Sequence, residues 1–274
     1  MDVSSAFFLP AGSGDRFCIF HEPAAGATRR GIVFAHPFCE EMNKSRRMAA
    51  LQSRRLAGRG YAVLQIDLFG CGDSSGDFAE ASWEIWRQDL RIALDWMKSR
   101  VDGPLGLWGL RLGATLAADV ARDPGLNLDW LLLWQPVCNG EQYLTQFLRL
   151  RLAAEMLADG AAQTGVRELR ETLRRGVPLE VAGYELNPRL TAEIDALNLA
   201  ALVPAVKRAH CLEVTAAAEP KLSPASQRAL EAWRSRGLNT RTTAVGGDPF
   251  WSTIEITECE ALLAATESSL SHDS

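Results

Sequence analysis

No stretch of this 274-residue sequence is apolar for long enough to cross a bilayer, and the longest candidate, LDWLLLWQPV, reads as a buried strand. The start, MDVSSAFFLPAG, lacks the basic opening of a signal peptide. Neither charge sign dominates: 29 Lys and Arg stand against 34 Asp and Glu, a net charge of -5. That balance disfavours nucleic acid or an anionic membrane as the main partner. The basic pairs Arg29-Arg30, Arg46-Arg47, Arg54-Arg55 and Arg174-Arg175 are broken up by acids and apolar residues and read as solvated faces. Cys18, Cys39, Cys71, Cys138, Cys211 and Cys259 show no Cys-x-x-Cys pairing, which removes the disulfide-framework and zinc readings. Reduced, buried thiols in a cytoplasmic protein are expected instead. Histidine is scarce, with only His21, His36, His210 and His272. Asp73, Asp77, Glu40 and Asp248 are oxygen donors without histidine support or motif spacing, so neither a metal nor another cofactor is expected. No internal repeat is present.

What the chain does have is 47% hydrophobic residues arranged as β-type runs alternating with helical patterns. This is the pattern of an α/β fold with a mostly parallel central sheet and helices on both faces. Strands are expected at Arg16–His21, Gly31–Ala35, Ala62–Asp67, Leu105–Trp108, Trp130–Trp134, Cys211–Thr215 and Thr240–Val245. IVFA and WLLLW are apolar without alternation, as strands covered on both faces should be. Ser82 is placed to cap a helix carrying Trp83, Trp86, Leu90, Leu94 and Met97 along one face. Further helices are expected at Lys44–Gly58, Pro224–Arg236 and Thr257–Ser269. Residues 140–205 break the rhythm, with two helices, Glu141–Ala158 and Val166–Arg175, and no clear alternation afterwards. The expected organisation is a core of residues 1–139 and 206–267, a helical lid over 140–205, and a frayed tail over 268–274.

Four landmarks fall in order: AHPFCEEMNKSRR after the strand Gly31–Ala35, DLFGCGDSSGDF, WGLRLGA, and LWQPVCNG. Together they resemble the α/β-hydrolase superfamily over essentially the whole chain, with 140–205 where such folds carry a lid. HPF-x-EEMNKSRRM, WGLRLGA, WQPV-x-x-G, VAGYELNP and DPFW resemble one subgroup, the exosortase A system-associated hydrolase type 2 of bacteria. That resemblance implies an α/β-hydrolase fold and an association with exopolysaccharide production and PEP-CTERM protein sorting. Exosortase-system proteins are then the implied partners.

GLWGLRLGA has the frame of Gly-x-Ser-x-Gly, the turn that presents a catalytic serine, but Arg111 stands at its centre. A serine mechanism needs an imidazole to take the hydroxyl proton and a carboxylate to hold the imidazole. Glu219 lies near the acid position, and Asp248 stands where the histidine would be. Two of three triad members are therefore absent by residue type. His36 heads the loop that normally feeds the oxyanion hole; it is expected to shape that loop by hydrogen bonding to backbone.

An arginine above a helix N-terminus is repelled by the helix dipole and calls for an anionic partner. Glu40, Glu41 and Asp248 are internal candidates. The other possibility is a small acyl or anionic ligand held by Arg111, with His36, Phe38, Glu40, Glu41, Leu112 and Trp251 lining the pocket. A displaced nucleophile is the third possibility, with Cys39 foremost and Cys71 and Ser45 within reach; a working thiol would need a base and a lowered pKa. The readings left open are an accessory or ligand-binding protein, a hydrolase of an ester, thioester or amide acting through such a nucleophile, and a structural partner with a plugged pocket.

Overall fold

The computed structural model describes residues 4–24, 30–159 and 165–271. Its centre is an eight-stranded sheet. The strands are β1 (Ser4–Ala11), β2 (Gly14–His21), β3 (Arg30–Ala35), β4 (Tyr61–Ile66), β5 (Leu105–Leu110), β6 (Leu128–Trp134), β9 (Val206–Thr215) and β10 (Asn239–Gly246). They lie in the order β1-β2-β4-β3-β5-β6-β9-β10. From β4 to β10 all neighbours run parallel, and β2 joins both β1 and β4 antiparallel. This is the α/β-hydrolase fold.

Strand β1 was not expected. Pro10 interrupts its pattern, and Phe8 is more than half exposed while Leu9 is buried. Such a sequence suits an edge strand, where a missing N–H can face solvent. The other strands of this sheet match the expected ones, with β4 shifted by one residue toward the N-terminus and the rest lengthened by one to five residues.

Helices α1 (Glu40–Gly58) and α8 (Glu260–Ser271) cover one face, packing on Ile32, Trp108, Leu132 and Trp134. On the other face lie α2 (Trp83–Lys98), α3 (Leu112–Val120) and α7 (Pro224–Arg234), over Val33, Leu107, Leu131 and Leu133. Ser82 caps α2 as expected, its hydroxyl accepting from the Ile85 N–H at 3.3 Å. The tail expectation needs correction: α8 continues to Ser271, and Leu270 is buried against the α1 face. The rest of that tail, 272–274, lies outside the described residues.

Glycine fixes the approach of α3 to the sheet. A Cβ on Gly113 would stand 2.2 Å from the His36 carbonyl oxygen, and one on Gly109 would stand 2.4 Å from the Gly113 oxygen. No larger residue fits either place without moving backbone, so the two glycines of the turn are explained by packing alone.

The excursion over 140–205 holds α4 (Gly140–Asp159), α5 (Val166–Arg174), a hairpin of β7 (Leu179–Val181) and β8 (Tyr184–Leu186), and α6 (Pro188–Asp195). The purely helical lid is thus corrected by a short sheet. Its turn is Ala182-Gly183, both with positive φ (52° and 82°), as a two-residue hairpin turn demands. The excursion is tied to the core. Glu193 accepts from the Trp83 N–H at 2.7 Å, Asn187 donates to the Ala81 carbonyl at 2.7 Å, and Phe147 packs on Phe38 with centroids 5.1 Å apart.

Candidate active site

Two strand-to-helix turns meet at the C-terminal edge of the sheet. One leads from β5 into α3 with Arg111 at φ 56°, ψ -122°. The other leads from β3 into α1 with Cys39 at φ 49°, ψ -129°. Positive φ is costly for a side-chain-bearing residue, on the order of 1–3 kcal/mol, and persists where its surroundings enforce it. At Arg111 they do: its N–H donates to the Trp134 carbonyl at 2.9 Å, and its own carbonyl accepts from the Val137 N–H at 3.3 Å. The elbow backbone is therefore intact although its central residue is no nucleophile. Leu112 follows it in the first turn of α3, whose N–H groups have no partner within the helix.

The Arg111 side chain turns to α1. Its Nε donates to Glu41 Oε1 at 3.0 Å, and the Tyr143 hydroxyl of α4 donates to Glu41 Oε2 at 2.9 Å. The guanidinium carbon lies 5.4 Å from the Tyr143 ring centroid and 5.3 Å from that of Trp251, within the reach of a cation–π contact. The side chains of Arg111 and Glu41 are 17% and 10% exposed, so the pair is largely desolvated. No described group hydrogen-bonds to the two Nη atoms. Burial pushes the Glu41 carboxyl up, while the Arg111 charge and the bonds from Arg111 and Tyr143 pull it back. Burial alone would lower the Arg111 pKa, but Glu41 opposite leaves it raised, so the guanidinium stays charged. Burial, reinforced by Glu41, holds the Tyr143 hydroxyl well above its usual range, and it acts only as a donor here.

Of the three carboxylates expected near Arg111, one meets it. Glu40 points elsewhere, with Oε2 buried and unpartnered among the described residues and its pKa raised by that burial. Asp248 is exposed. Glu219 is corrected too, because it lies on the surface and pairs with Lys221 at 2.9 Å. The buried carboxylate at that end of the sheet is Glu213 of β9, which accepts from the hydroxyls of Ser223 and Ser226 and from the Ser223 N–H. Its signal was a single acid inside the apolar run CLEVT. Tyr143 carried no signal beyond its helix, because its partner lies 102 residues away.

His36 is buried and fully engaged. Its Nε2 accepts from the Leu68 N–H at 3.1 Å, so its Nδ1 carries the proton donated to the Pro37 carbonyl at 2.7 Å. Burial lowers its pKa, and the ring stays neutral as a brace between two loops. His21 packs against Gln65, and His210 against Thr243, away from the elbow; His272 lies outside the described residues. Cys39 is buried, and burial, with Glu40, Cys71 and Glu41 adding, raises its thiol well above the ordinary value. Cys71 is raised in the same way, and Ser45 is buried inside α1. None of the three has an activating base. Phe38, Cys39, Cys71, Trp86, Leu112 and Leu116 line a wholly apolar cavity of about 10 Å³, close to the size of one water. Trp251 is buried against Phe250 and Arg111. Among the described residues no three His, Cys, Asp or Glu side chains gather as a metal site, and no helix is long and apolar enough to cross a membrane.

A strained elbow at the carboxyl end of β5, under a lid, defines an α/β hydrolase by architecture. The family described as serine aminopeptidase, S33 matches residues 26–216, and the chain belongs to it. Human protein ABHD12B is 32% identical over 126 residues, which is 44% of this chain and 33% of that protein. An acyl transferase of Shewanella hanedai is 31% identical over 97 residues, 35% of this chain and 30% of its own. The chain thus spans about a third of the length of the curated relatives it matches. Among solved structures, ferulic-acid-bound Est1E from Butyrivibrio proteoclasticus superposes with a TM-score of 0.66 at 15% identity, over 97% of this chain and 98% of that one. Mouse alpha/beta hydrolase domain-containing protein 10 gives 0.63 at 17%, over 98% and 100%. At such identities the likeness is one of fold.

Two outcomes test the site. Removing Glu41 strands a buried guanidinium, so Glu41→Ala should cost about 3–5 kcal/mol in urea unfolding. Arg111→Met combined with Glu41→Gln, which keeps an acceptor for Tyr143, should recover at least half of that loss. Second, His36 binds its proton less readily when folded, so its stabilisation is complete above about pH 6.5 and declines as pH falls through that value. His36→Gln should flatten stability against pH below about 6.5 by up to about 1.4 kcal/mol per pH unit. An unchanged slope would contradict the neutral brace.

Proposed function

We propose that this chain is a non-hydrolytic accessory member of its family, an α/β-hydrolase fold whose former catalytic corner has become a structural joint. The observation that carries the reading is the 3.0 Å contact from Arg111 Nε to Glu41 Oε1 at the elbow. A permanently charged guanidinium neither attacks a carbonyl nor shuttles protons at neutral pH. The engaged nitrogens of His36 and the raised Cys39 thiol support the same reading. The resemblance of HPF-x-EEMNKSRRM and WQPV-x-x-G to the exosortase A-associated type 2 proteins supports, in our reading, a role in a bacterial exopolysaccharide and PEP-CTERM sorting system. Its site of action would be the cytoplasm.

The unbonded Nη edge of Arg111 supports a second, narrower reading, in which a carboxylate ligand joins the pair once α4 lifts. Opening is required, because the cavity behind the elbow is close to the size of one water.

A panel of p-nitrophenyl esters and acyl thioesters tests the first reading. The parent should show no turnover above buffer, and Arg111→Ser should gain none, because no imidazole stands ready to activate a hydroxyl. Turnover by the parent that vanishes in Cys39→Ala, or turnover created by Arg111→Ser, would overturn it. For the second reading, decanoate titrated by calorimetry should bind the parent at least about tenfold more tightly than Arg111→Met. Equal affinities would remove the ligand role and leave the joint.

A further inference from the structure

We propose that the free edge of β10 is a docking site for an extended acidic segment of a partner protein, which adds to the sheet as a further strand. The proposal is independent of the chemistry at the elbow. Strand β10 ends the eight-stranded order, and among the described residues nothing hydrogen-bonds to the outward-facing main chain of Thr240–Val245. Its sequence, NTRTTAVG, is rich in β-formers and has no Pro or Lys, the usual guards of a free edge. The other edge strand, β1, carries Pro10.

The two faces beside the β10 edge differ in the room they offer. On the α7 side, Leu222, Arg228, Leu230, Glu231, Arg234 and Thr242 line a groove of about 510 Å³. On the α8 side, His210 and Arg241 line a smaller cavity of about 20 Å³ against Trp130. Thr242 and Arg241 are neighbours facing opposite sides, so successive side chains of an added strand would lie alternately beside the α7 groove and beside Arg241. The buried Thr240 hydroxyl has no described partner.

Charge selects the occupant. Arg228 and Arg241 are exposed and form no ion pair with any described residue, while Arg234 holds Glu231 at 3.3 Å. The chain as a whole carries a net charge of -5, so this basic border is local. A second copy paired edge to edge would bring two such borders together, which costs rather than stabilises. An acidic strand would meet main-chain groups along β10 and arginines on both flanks.

The test uses a fluorescein-labelled octapeptide alternating glutamate with valine, followed by anisotropy against the full chain. It should bind; a lysine–valine peptide of equal length should not. Arg228→Glu with Arg241→Glu should weaken binding at least about tenfold, provided the thermal unfolding of that variant matches the parent's. N-methylation of the peptide at alternate residues, in each of the two registers, should abolish binding in one of them, which charge attraction alone would not produce. Absence of binding, or equal binding by both N-methylated peptides, overturns the proposal. So does self-association of the chain, seen by sedimentation, that the peptide competes away, for it assigns the edge to a second copy.

Discussion

The joint between Arg111 and Glu41 is the constraint on which the rest of this molecule is arranged. The guanidinium sits where two helix N-termini, those of α1 and α3, converge, and each is a region of positive potential. Placed there alone, a buried cation would be opposed by both dipoles and by desolvation. Glu41 resolves the conflict because it belongs to the first turn of α1, where the helix itself favours an anion. One carboxylate therefore offsets a side chain and two helix ends. Tyr143 completes the arrangement, since its hydroxyl satisfies the second carboxylate oxygen at 2.9 Å.

That third member changes what the site does mechanically. Tyr143 belongs to α4, the first element of the excursion over the sheet, so the polar centre also pins the lid. Phe147, one turn further along, packs on Phe38 in the loop beside Cys39. A polar bond and an apolar contact thus hold the same helix over the same loop, and the Trp251 ring centroid also lies 5.3 Å from the guanidinium carbon. The positions around the elbow hold α4 against the core, beside an apolar cavity of about 10 Å³, close to the size of one water. The strained backbone at Arg111 is kept because the turn still feeds α3 against the sheet through Gly109 and Gly113.

Much of this is legible in the sequence itself. The continuous apolar runs located the parallel strands, Ser82 announced α2, and Arg111 in a Gly-x-x-x-Gly frame marked the corner and required an anion. Reading stopped where contacts span long stretches of chain. Glu40, Glu41 and Asp248 look alike in sequence, and only the helical phase of α1 decides that Glu41 faces the elbow while Glu40 turns away. Tyr143 looks like any aromatic residue of an amphipathic helix. The hairpin of β7 and β8 was hidden because each strand has three residues, too few for a period to show. Strand β1 was hidden because an edge strand with Pro10 lacks the apolar run that marks buried strands.

The two ends of the sheet complete the physical picture. A parallel sheet built outward from its centre must stop somewhere, and each terminal strand exposes a ladder of unpaired main-chain groups. At the β1 end the chain uses a hairpin partner and a proline. At the β10 end it uses neither, and instead sets arginines on both flanks. Among the described residues, the bare edge of β10 brings unpaired main-chain groups and local positive charge together.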